Sequence, residues 1–183
     1  MTKLRAQGIF SCMNWDTQFL DLFRRCLALY QGGNTDYLNY YSSEDLCFLE
    51  SIGYKLRELF DFVEDLADEG IPSEASALLI AAARRDYFIN VQGGQKSDKE
   101  ITRDEIPSFG EKIGGFAYLP RIIAKGEAKL RGELHPDLMF SCGGDRKFLQ
   151  ENQIHAADFL RHLWSANGDY EKLISFVKES TAR

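Results

Sequence analysis

The sequence lacks the features of exported, membrane-bound or disulfide-bonded proteins. Its 183 residues contain no run of about 18 apolar residues, the length that a membrane-spanning helix needs. The first five residues carry positive charge, but no apolar stretch follows them as it does in an export signal. Four cysteines are scattered without a CxxC pair, which favours reduced thiols over a disulfide framework or a zinc knuckle. We therefore expect a cytoplasmic protein with no membrane partner.

The sequence also lacks an excess of positive charge and an obvious catalytic motif. Its 22 Lys and Arg stand against 28 Asp and Glu, which gives a formal net charge of −6. Proteins that bind nucleic acid through its phosphates need clustered cations, so we expect no nucleic acid partner, although a local basic patch is allowed. No metal-ligand spacing and no paired acid and base stand out. The sequence thus predicts no cofactor and no metal, and it leaves open whether the protein is an enzyme.

Apolar residues are abundant and follow a helical rhythm. They make up 44% of the chain, with 13 Phe and 8 Tyr, which is enough to build a core without disulfides or metal. They recur at spacings of three and four residues between glycine, proline or serine stops, the pattern of amphipathic helices. This pattern predicts an all-α protein, a compact multi-helix bundle. The predicted helices are 15–30, 43–52, 56–66, 73–87, 119–130, 146–151, 155–165 and 170–180. The best candidate for a strand is 87–91, whose aromatic and β-branched residues could also extend the preceding helix.

From residue 93 to residue 115 the apolar rhythm stops. Charged residues and glycines dominate this stretch and leave little to bury, so we predict a long exposed connection. It divides the chain into an N-terminal helical half (1–92), the charged connection (93–115) and a C-terminal helical half (116–183). The alternative is that the three parts form one integrated domain.

The two predicted halves share a faint pattern. A shift of one hundred positions aligns residues 19–63 with 119–163 without a gap. Six residues are identical, among them Gly32 and Gly132, each at the end of a predicted helix. Because glycine is favoured at helix ends for physical reasons, the match predicts two related helical halves. The alternative is that any two amphipathic helical stretches can be slid into such agreement.

Four short motifs mark the C-terminal half. They are Tyr-Leu-Pro-Arg at 118–121, Lys-Gly-Glu-Ala-Lys-Leu at 125–130, Cys-Gly-Gly-Asp-Arg-Lys-Phe-Leu at 142–149 and Ala-Asp-Phe-Leu at 157–160. With these motifs the C-terminal half resembles a bacterial domain family of unknown function. The resemblance implies a bacterial, soluble protein. Since that family has no established activity, cofactor or substrate, it assigns no functional residue.

The most distinctive segment is 142–147, Cys-Gly-Gly-Asp-Arg-Lys. Its two glycines precede a predicted helix, so backbone amides could turn towards a bound anion, and Arg146 and Lys147 would add positive charge there. In such a field Cys142 could be a reactive thiolate. The structural alternative is a tight turn in which Asp145 is the N-cap and already satisfies the free amides of the helix. The candidate ligand-binding residues are Arg121, Cys142, Gly143, Gly144, Asp145, Arg146 and Lys147.

The histidines are weak candidates for a metal site or a catalytic base. His155 and His162 lie seven residues apart on one predicted helix face, with Asp158 between them. A metal-binding helix usually places its two ligands four residues apart, whereas seven residues span about 10 Å of helix axis. We therefore expect capping or solvent-exposed histidines. A reactive Cys142 would need His135 or His155 within hydrogen-bond reach, which the sequence cannot show.

One face of the fifth predicted helix is positive, because it carries Arg121, Lys125, Lys129 and Arg131. That face either points to solvent or meets the acidic side of the third predicted helix. In the second case, complementary charges would favour association of the two halves or of two chains.

Two functions from different classes fit the sequence. The leading prediction is a non-catalytic helical interaction or regulatory module, whose partner is another protein or a second copy of the chain. The alternative is a small-molecule enzyme or binding protein for an anionic ligand, which uses the 142–147 segment and Arg121. A set of aromatic residues either packs in the core or lines a ligand cleft between the halves; it comprises Trp15, Trp164 and the cluster Tyr37, Tyr40 and Tyr41.

Overall fold

The computed structural model describes residues 14–182, so Cys12 and the basic N-terminal residues lie outside the described part of the chain. Within it, eight α-helices carry nearly all the regular structure, which confirms the predicted all-α fold. Two short strands, β1 (Lys112–Ile113) and β2 (Phe116–Ala117), pair antiparallel as a hairpin. The helices are α1 (Trp15–Gln31), α2 (Ser43–Ser51), α3 (Leu56–Glu69), α4 (Glu74–Asn90), α5 (Leu119–Arg131), α6 (Gly143–Glu151), α7 (Ala156–Ala166) and α8 (Tyr170–Thr181).

Local signals in the chain explain where several helices begin and end. Ser42 caps α2 by accepting a hydrogen bond from the amide of Asp45, whose side chain accepts one from the amide of Ser42 in return. Ser73 caps α4, as the sequence predicts. The predicted strand after this helix does not form, because α4 continues to Asn90 and its aromatic residues extend the helix.

One buried cluster runs through both predicted halves. α1 packs against α3 and α4, α4 against α5 and α7, and α7 against α5 and α8. Phe19, Phe23 and Leu59 from the first half and Phe159 and Leu160 from the second are buried in the same cluster. The halves therefore meet through packed helices as well as through the connection between them.

The segment 93–115 is mostly exposed, but two of its isoleucines enter the core. Ile101 and Ile106 are both buried. The amide of Ile101 donates to the carbonyl of Glu133, and the carbonyl of Ile101 accepts from the amide of His135, which forms a short parallel bridge. The expectation that this segment has little to bury is wrong at these two positions, because backbone pairing with the chain after α5 anchors it.

Candidate functional site

The 142–147 segment is the start of a helix and not a loop. α6 begins at Gly143, directly after its N-cap residue Cys142, whose side chain makes no capping hydrogen bond. Asp145 is therefore the third residue of the helix, and the prediction that it is the N-cap is wrong. The sequence misleads here because glycine is a poor helix former, which placed Gly143 and Gly144 outside the predicted helix.

Asp145 is buried, and its carboxylate already has three donors. It accepts hydrogen bonds from Nζ of Lys125 at 2.5 Å, from the hydroxyl of Tyr118 at 2.8 Å and from the amide of Ser141 at 2.8 Å. Gly144 leaves room for this arrangement, because a Cβ there would lie 2.6 Å from the Tyr118 hydroxyl oxygen. Burial, and then the carboxylate of Asp145, raise the pKa of Tyr118. A carboxylate of the chain itself thus occupies the positive end of α6, where the sequence suggested a bound anion.

The thiol of Cys142 has a lysine as its neighbour. Its Sγ lies 3.2 Å from Nζ of Lys125, and the same ammonium is held at 2.5 Å by Asp145. Among the hydrogen bonds of the described residues, neither His135 nor His155 contacts this sulfur. The catalytic pairing of a cysteine with a histidine is therefore not formed in this structure.

His155 and His162 serve other purposes. Nδ1 of His155 accepts a hydrogen bond from the amide of Ala157 and caps α7. Its Nε2 lies 3.1 Å from Oγ of Ser76. In the neutral ring the remaining proton is then on Nε2, so His155 donates to Ser76 and cannot act as its base. His162 is exposed and stacks on Phe176, and no cluster of three or more His, Cys, Asp or Glu in residues 14–182 could hold a metal ion.

Arg146 is committed to two carboxylates. Its Nη1 lies 2.5 Å from Oδ2 of Asp65 and its Nη2 lies 2.6 Å from Oε2 of Glu69. Nη1 also donates to the carbonyl of Ser141 at 2.8 Å. Its charge is thus compensated within the chain, while Lys147 is exposed on the outer side of α6.

Arg121 lies apart from this group. It donates to the carbonyl of Pro107 at 2.9 Å, and its guanidinium lies 4.3 Å above the ring of Phe109. Arg146 lines a cavity of about 270 Å³ beside the α3–α4 turn, but neither Cys142 nor Arg121 lies on that wall. The candidate residues do not converge on this cavity.

The basic face of α5 is largely internal. Lys125 and Lys129 are each only 2% exposed, so the interpretation of a solvent-exposed cationic face is wrong for both. Nζ of Lys129 lies 3.0 Å from Oε1 of Glu58 on α3. This contact matches the complementary-charge alternative, in which α5 meets the acidic helix of the other half.

A larger cavity lies where α2 ends and α3 begins. Of the three tyrosines that could line a ligand cleft between the halves, Tyr37 lies on its wall, whereas Tyr40 and Tyr41 do not. It measures about 520 Å³. Its walls include Tyr37, Leu46, Tyr54, Arg57, Arg84 and Arg131, and we call it the Arg84 cavity.

Arg84 is the unusual residue of this cavity. It is 1% exposed, and burial lowers its pKa, yet a guanidinium stays protonated in proteins. Nη1 donates to Oε1 of Gln92 at 2.8 Å, and the guanidinium lies 5.2 Å from the ring centre of Phe88. Among residues 14–182, Nε of Arg84 has no hydrogen-bond acceptor and no carboxylate oxygen lies within 4.0 Å of the guanidinium nitrogens. Gly132 allows this close packing, because a Cβ there would lie 2.5 Å from Nη2.

The charges behind Arg84 do not supply the missing partner. Glu58 is paired with Lys129 at 3.0 Å, and Asp61 is paired with Nε of Arg57 at 2.7 Å. Burial raises the pKa of Asp61 to about 7, so this carboxyl is only partly ionised near neutral pH. Glu133 also acts on Arg84 from beyond ion-pair distance, and it is paired with Nε of Arg131 at 2.7 Å.

One signal in the sequence could have located Arg84. It lies four residues after Ile80 and four before Phe88, and both of those residues are buried on the same face of α4. An arginine between two apolar residues at this spacing points inward. The alanine-rich character of the helix masked this pattern.

No protein-family model, curated protein or solved structure matches the chain. The resemblance of the C-terminal half to a bacterial domain family therefore stays a prediction. Within residues 14–182, no helix is both long enough and apolar enough to cross a membrane.

Proposed function

We propose that the protein is a non-catalytic interaction or regulatory module, which docks a partner protein at the mouth of the Arg84 cavity. The observation that carries the proposal is the cavity itself, in which exposed apolar and cationic side chains share one opening. The described residues supply no nucleophile with an oriented histidine base. The geometry therefore favours binding over chemistry.

The apolar part of the mouth is exposed in the free chain. Leu46 on α2 lines the cavity and is 44% exposed. Leu38 is 65% exposed and follows Tyr37, which is a cavity residue. Centres of protein interfaces combine such apolar anchors with tyrosine and arginine. The mouth thus has the composition of a contact centre.

The charged part of the mouth favours an acidic partner. Lys55, Arg57, Lys96 and Arg131 line the cavity, and Glu50 is the one acid among its described walls. All four cations are paired within the chain: Lys55 with Glu100 at 3.1 Å, Arg57 with Asp61 at 2.7 Å, Lys96 with Glu50 at 2.6 Å and Arg131 with Glu133 at 2.7 Å. The pairs of Lys55 and Lys96 are exposed and therefore weak, so these two ammonium groups can exchange to the carboxylates of a partner. Complementary charge would give an acidic protein surface both orientation and selectivity at this place.

A pair of leucine substitutions tests the proposal. Leu46→Asp places a carboxylate on the wall of the cavity, whereas Leu79→Asp makes the same change on α4 at a leucine that is 41% exposed and does not line it. Affinity-tagged wild type and both variants are used as baits in an extract of the source cells, and captured proteins are quantified by mass spectrometry. We expect one partner to be captured at least about tenfold less by Leu46→Asp, because an apolar contact is replaced by a repelling charge.

Leu79→Asp should capture that partner as the wild type does. If every captured protein is retained by Leu46→Asp, or is lost equally with both variants, docking at this mouth is rejected. Self-association is separated from capture of another protein by light scattering of the purified chain.

The alternative function, an enzyme or binding protein that uses the 142–147 segment, has less support. The positive end of α6 is filled by Asp145, and Arg146 is paired with two carboxylates. An anionic ligand is better supported at the Arg84 cavity than at this segment.

Two related halves remain a proposal that the backbone supports. α2 and α6 start and end one hundred positions apart, at 43–51 and 143–151. After them, the amides of Tyr54 and Ile154 each donate, at 2.9 Å, to the carbonyl five residues earlier. Gly53 and Gln153 have φ values of 67° and 56°. A superposition of 19–63 on 119–163 tests the duplication.

A further inference from the structure

Buried charges in this chain are almost always paired. Eight charged side chains are buried in residues 14–182; seven of them lie within ion-pair distance of an opposite charge, and Arg84 does not. Removing a charge from water without a partner is costly. The buried and charged residues of the described chain are Glu58, Asp61, Arg84, Lys125, Lys129, Glu133, Asp145 and Arg146.

A neutral amide and an aromatic ring compensate Arg84 only in part. Its one side-chain acceptor is the neutral amide oxygen of Gln92, and Phe88 offers its ring face. The guanidinium has five N–H donors, and pairing with both oxygens of a carboxylate or phosphate is its strongest mode of hydrogen bonding. The donors of Arg84 thus match an anion that enters the cavity.

The lining and the size of the cavity favour a ligand that has an apolar part as well as a negative charge. Besides Arg84, its walls include the apolar or aromatic side chains of Tyr37, Leu46, Leu49 and Leu56. A volume of about 520 Å³ is also larger than a bare inorganic anion needs, and it lies in the usual range for pockets of small organic ligands. The walls therefore favour a ligand that carries its negative charge on an apolar body.

We propose that the Arg84 cavity binds a small organic anion, with its carboxylate or phosphate group on the guanidinium of Arg84 and its apolar body against Tyr37 and Leu46. This inference goes beyond docking of a partner at the mouth, because it assigns a ligand class to the floor of the cavity. It concerns the chain alone and can hold or fail whether or not a partner binds.

The test uses NMR spectroscopy of an isotope-labelled chain, in which the side-chain Nε–H group of each arginine gives its own signal. Phenylpropionate is the probe, phenylpropanamide is its neutral match, and inorganic phosphate is an anion without an apolar body. The Nε–H of Arg84, identified by its loss in Arg84→Lys, should shift in a saturable way with phenylpropionate. The Nε–H of Arg146 is an internal control, because it also lacks an acceptor in residues 14–182 but lies outside this cavity.

We expect phenylpropionate to bind at least about tenfold more tightly than either phenylpropanamide or phosphate, since charge and apolar body both contribute. Equal binding of the amide would overturn the role of Arg84. Equal or tighter binding of phosphate would overturn the role of the apolar body. A shift at Arg146 without one at Arg84 would place the ligand elsewhere and reject the site.

Variants give a second readout. Arg84→Met should weaken phenylpropionate binding at least about tenfold, if the variant folds. Leu46→Asp, at a half-exposed position, should also weaken it through repulsion, while Leu79→Asp should bind as the wild type does. Unchanged binding by Leu46→Asp contradicts the assignment even if Arg84→Met does not fold.

Discussion

Lys129→Met removes one member of the buried ion pair that joins α5 to α3. Nζ of Lys129 lies 3.0 Å from Oε1 of Glu58, 3.1 Å from the hydroxyl of Tyr54 and 4.2 Å from the centre of the Tyr54 ring. Methionine keeps most of the volume of lysine but carries no charge and donates no hydrogen bond. Glu58, which is only 6% exposed, is then left without its cation.

The expected loss of stability follows from that burial. Breaking a buried ion pair by removing one partner costs about 3–5 kcal/mol, because the remaining charge is uncompensated. For a chain of 150–250 residues each kcal/mol lowers the melting temperature by about 2–4 °C, so Lys129→Met should lower it by about 6–20 °C. Glu58→Gln removes the stranded charge and still offers an oxygen to the amide of Lys55, which Glu58 holds at 3.0 Å.

The double variant Lys129→Met/Glu58→Gln should therefore be more stable than Lys129→Met alone. Thermal unfolding gives the melting temperature and urea unfolding gives the free energy, both followed by far-ultraviolet circular dichroism, with Lys172→Met as the matched control. The side chain of Lys172 is 70% exposed, so its loss should change stability by less than about 0.5 kcal/mol. If Lys129→Met also changes the free energy of unfolding by less than about 0.5 kcal/mol, Lys129 and Glu58 do not form a buried ion pair between the two halves.

Two further substitutions test Asp61, the partner of the cavity residue Arg57, and Gly53, which lies on the wall of the Arg84 cavity. Burial raises the pKa of Asp61 to about 7, so the ionisation of this carboxyl destabilises the fold as the pH rises from about 4 to 7. Asp61→Asn should therefore reduce the loss of stability between pH 4 and pH 8 by up to about 4 kcal/mol. An identical pH dependence of the free energy of unfolding in the two proteins would contradict this. Gly53→Ala should cost about 2–4 kcal/mol in urea unfolding, because Gly53 has a φ of 67° and a Cβ there would lie 2.4 Å from Cγ of Phe88. Gly70 has a φ of 75° but open space around it, so Gly70→Ala should cost only the backbone strain of about 1 kcal/mol. Equal losses of stability in the Gly53 and Gly70 variants would show that the ring of Phe88 moves aside.

The helices were predictable because burial and local sequence agree along most of the chain. α2 and α5 begin where the apolar rhythm places them, and the Ser73 cap starts α4 as expected. The start of α6 was missed by three residues, since two glycines opened the helix and Cys142 preceded it. Propensity is a weak guide where tertiary contacts, here those of Asp145, hold a turn in place.

The candidate site was harder to predict because sequence patterns assign charged side chains to solvent. Lys125 and Lys129 lie four residues apart, as an exposed basic stripe does, yet both are buried by partners far away in the chain. The partner of Lys129 is 71 residues away and that of Lys125 is 20 residues away. No spacing rule within a helix contains that information.

The pairing of buried charges also decides how an anion could be recognised. Four of the eight buried charges are positive and four are negative, so the formal charge of −6 belongs to the rest of the chain. At long range this field repels an anion, whereas at close range the uncompensated guanidinium of Arg84 attracts it in a poorly solvated cavity. Such a site should bind bare inorganic anions weakly, because an anion that leaves water loses its hydration free energy. Anions with an apolar body gain burial as well, and selectivity at the cavity should therefore come from the body as much as from the charge.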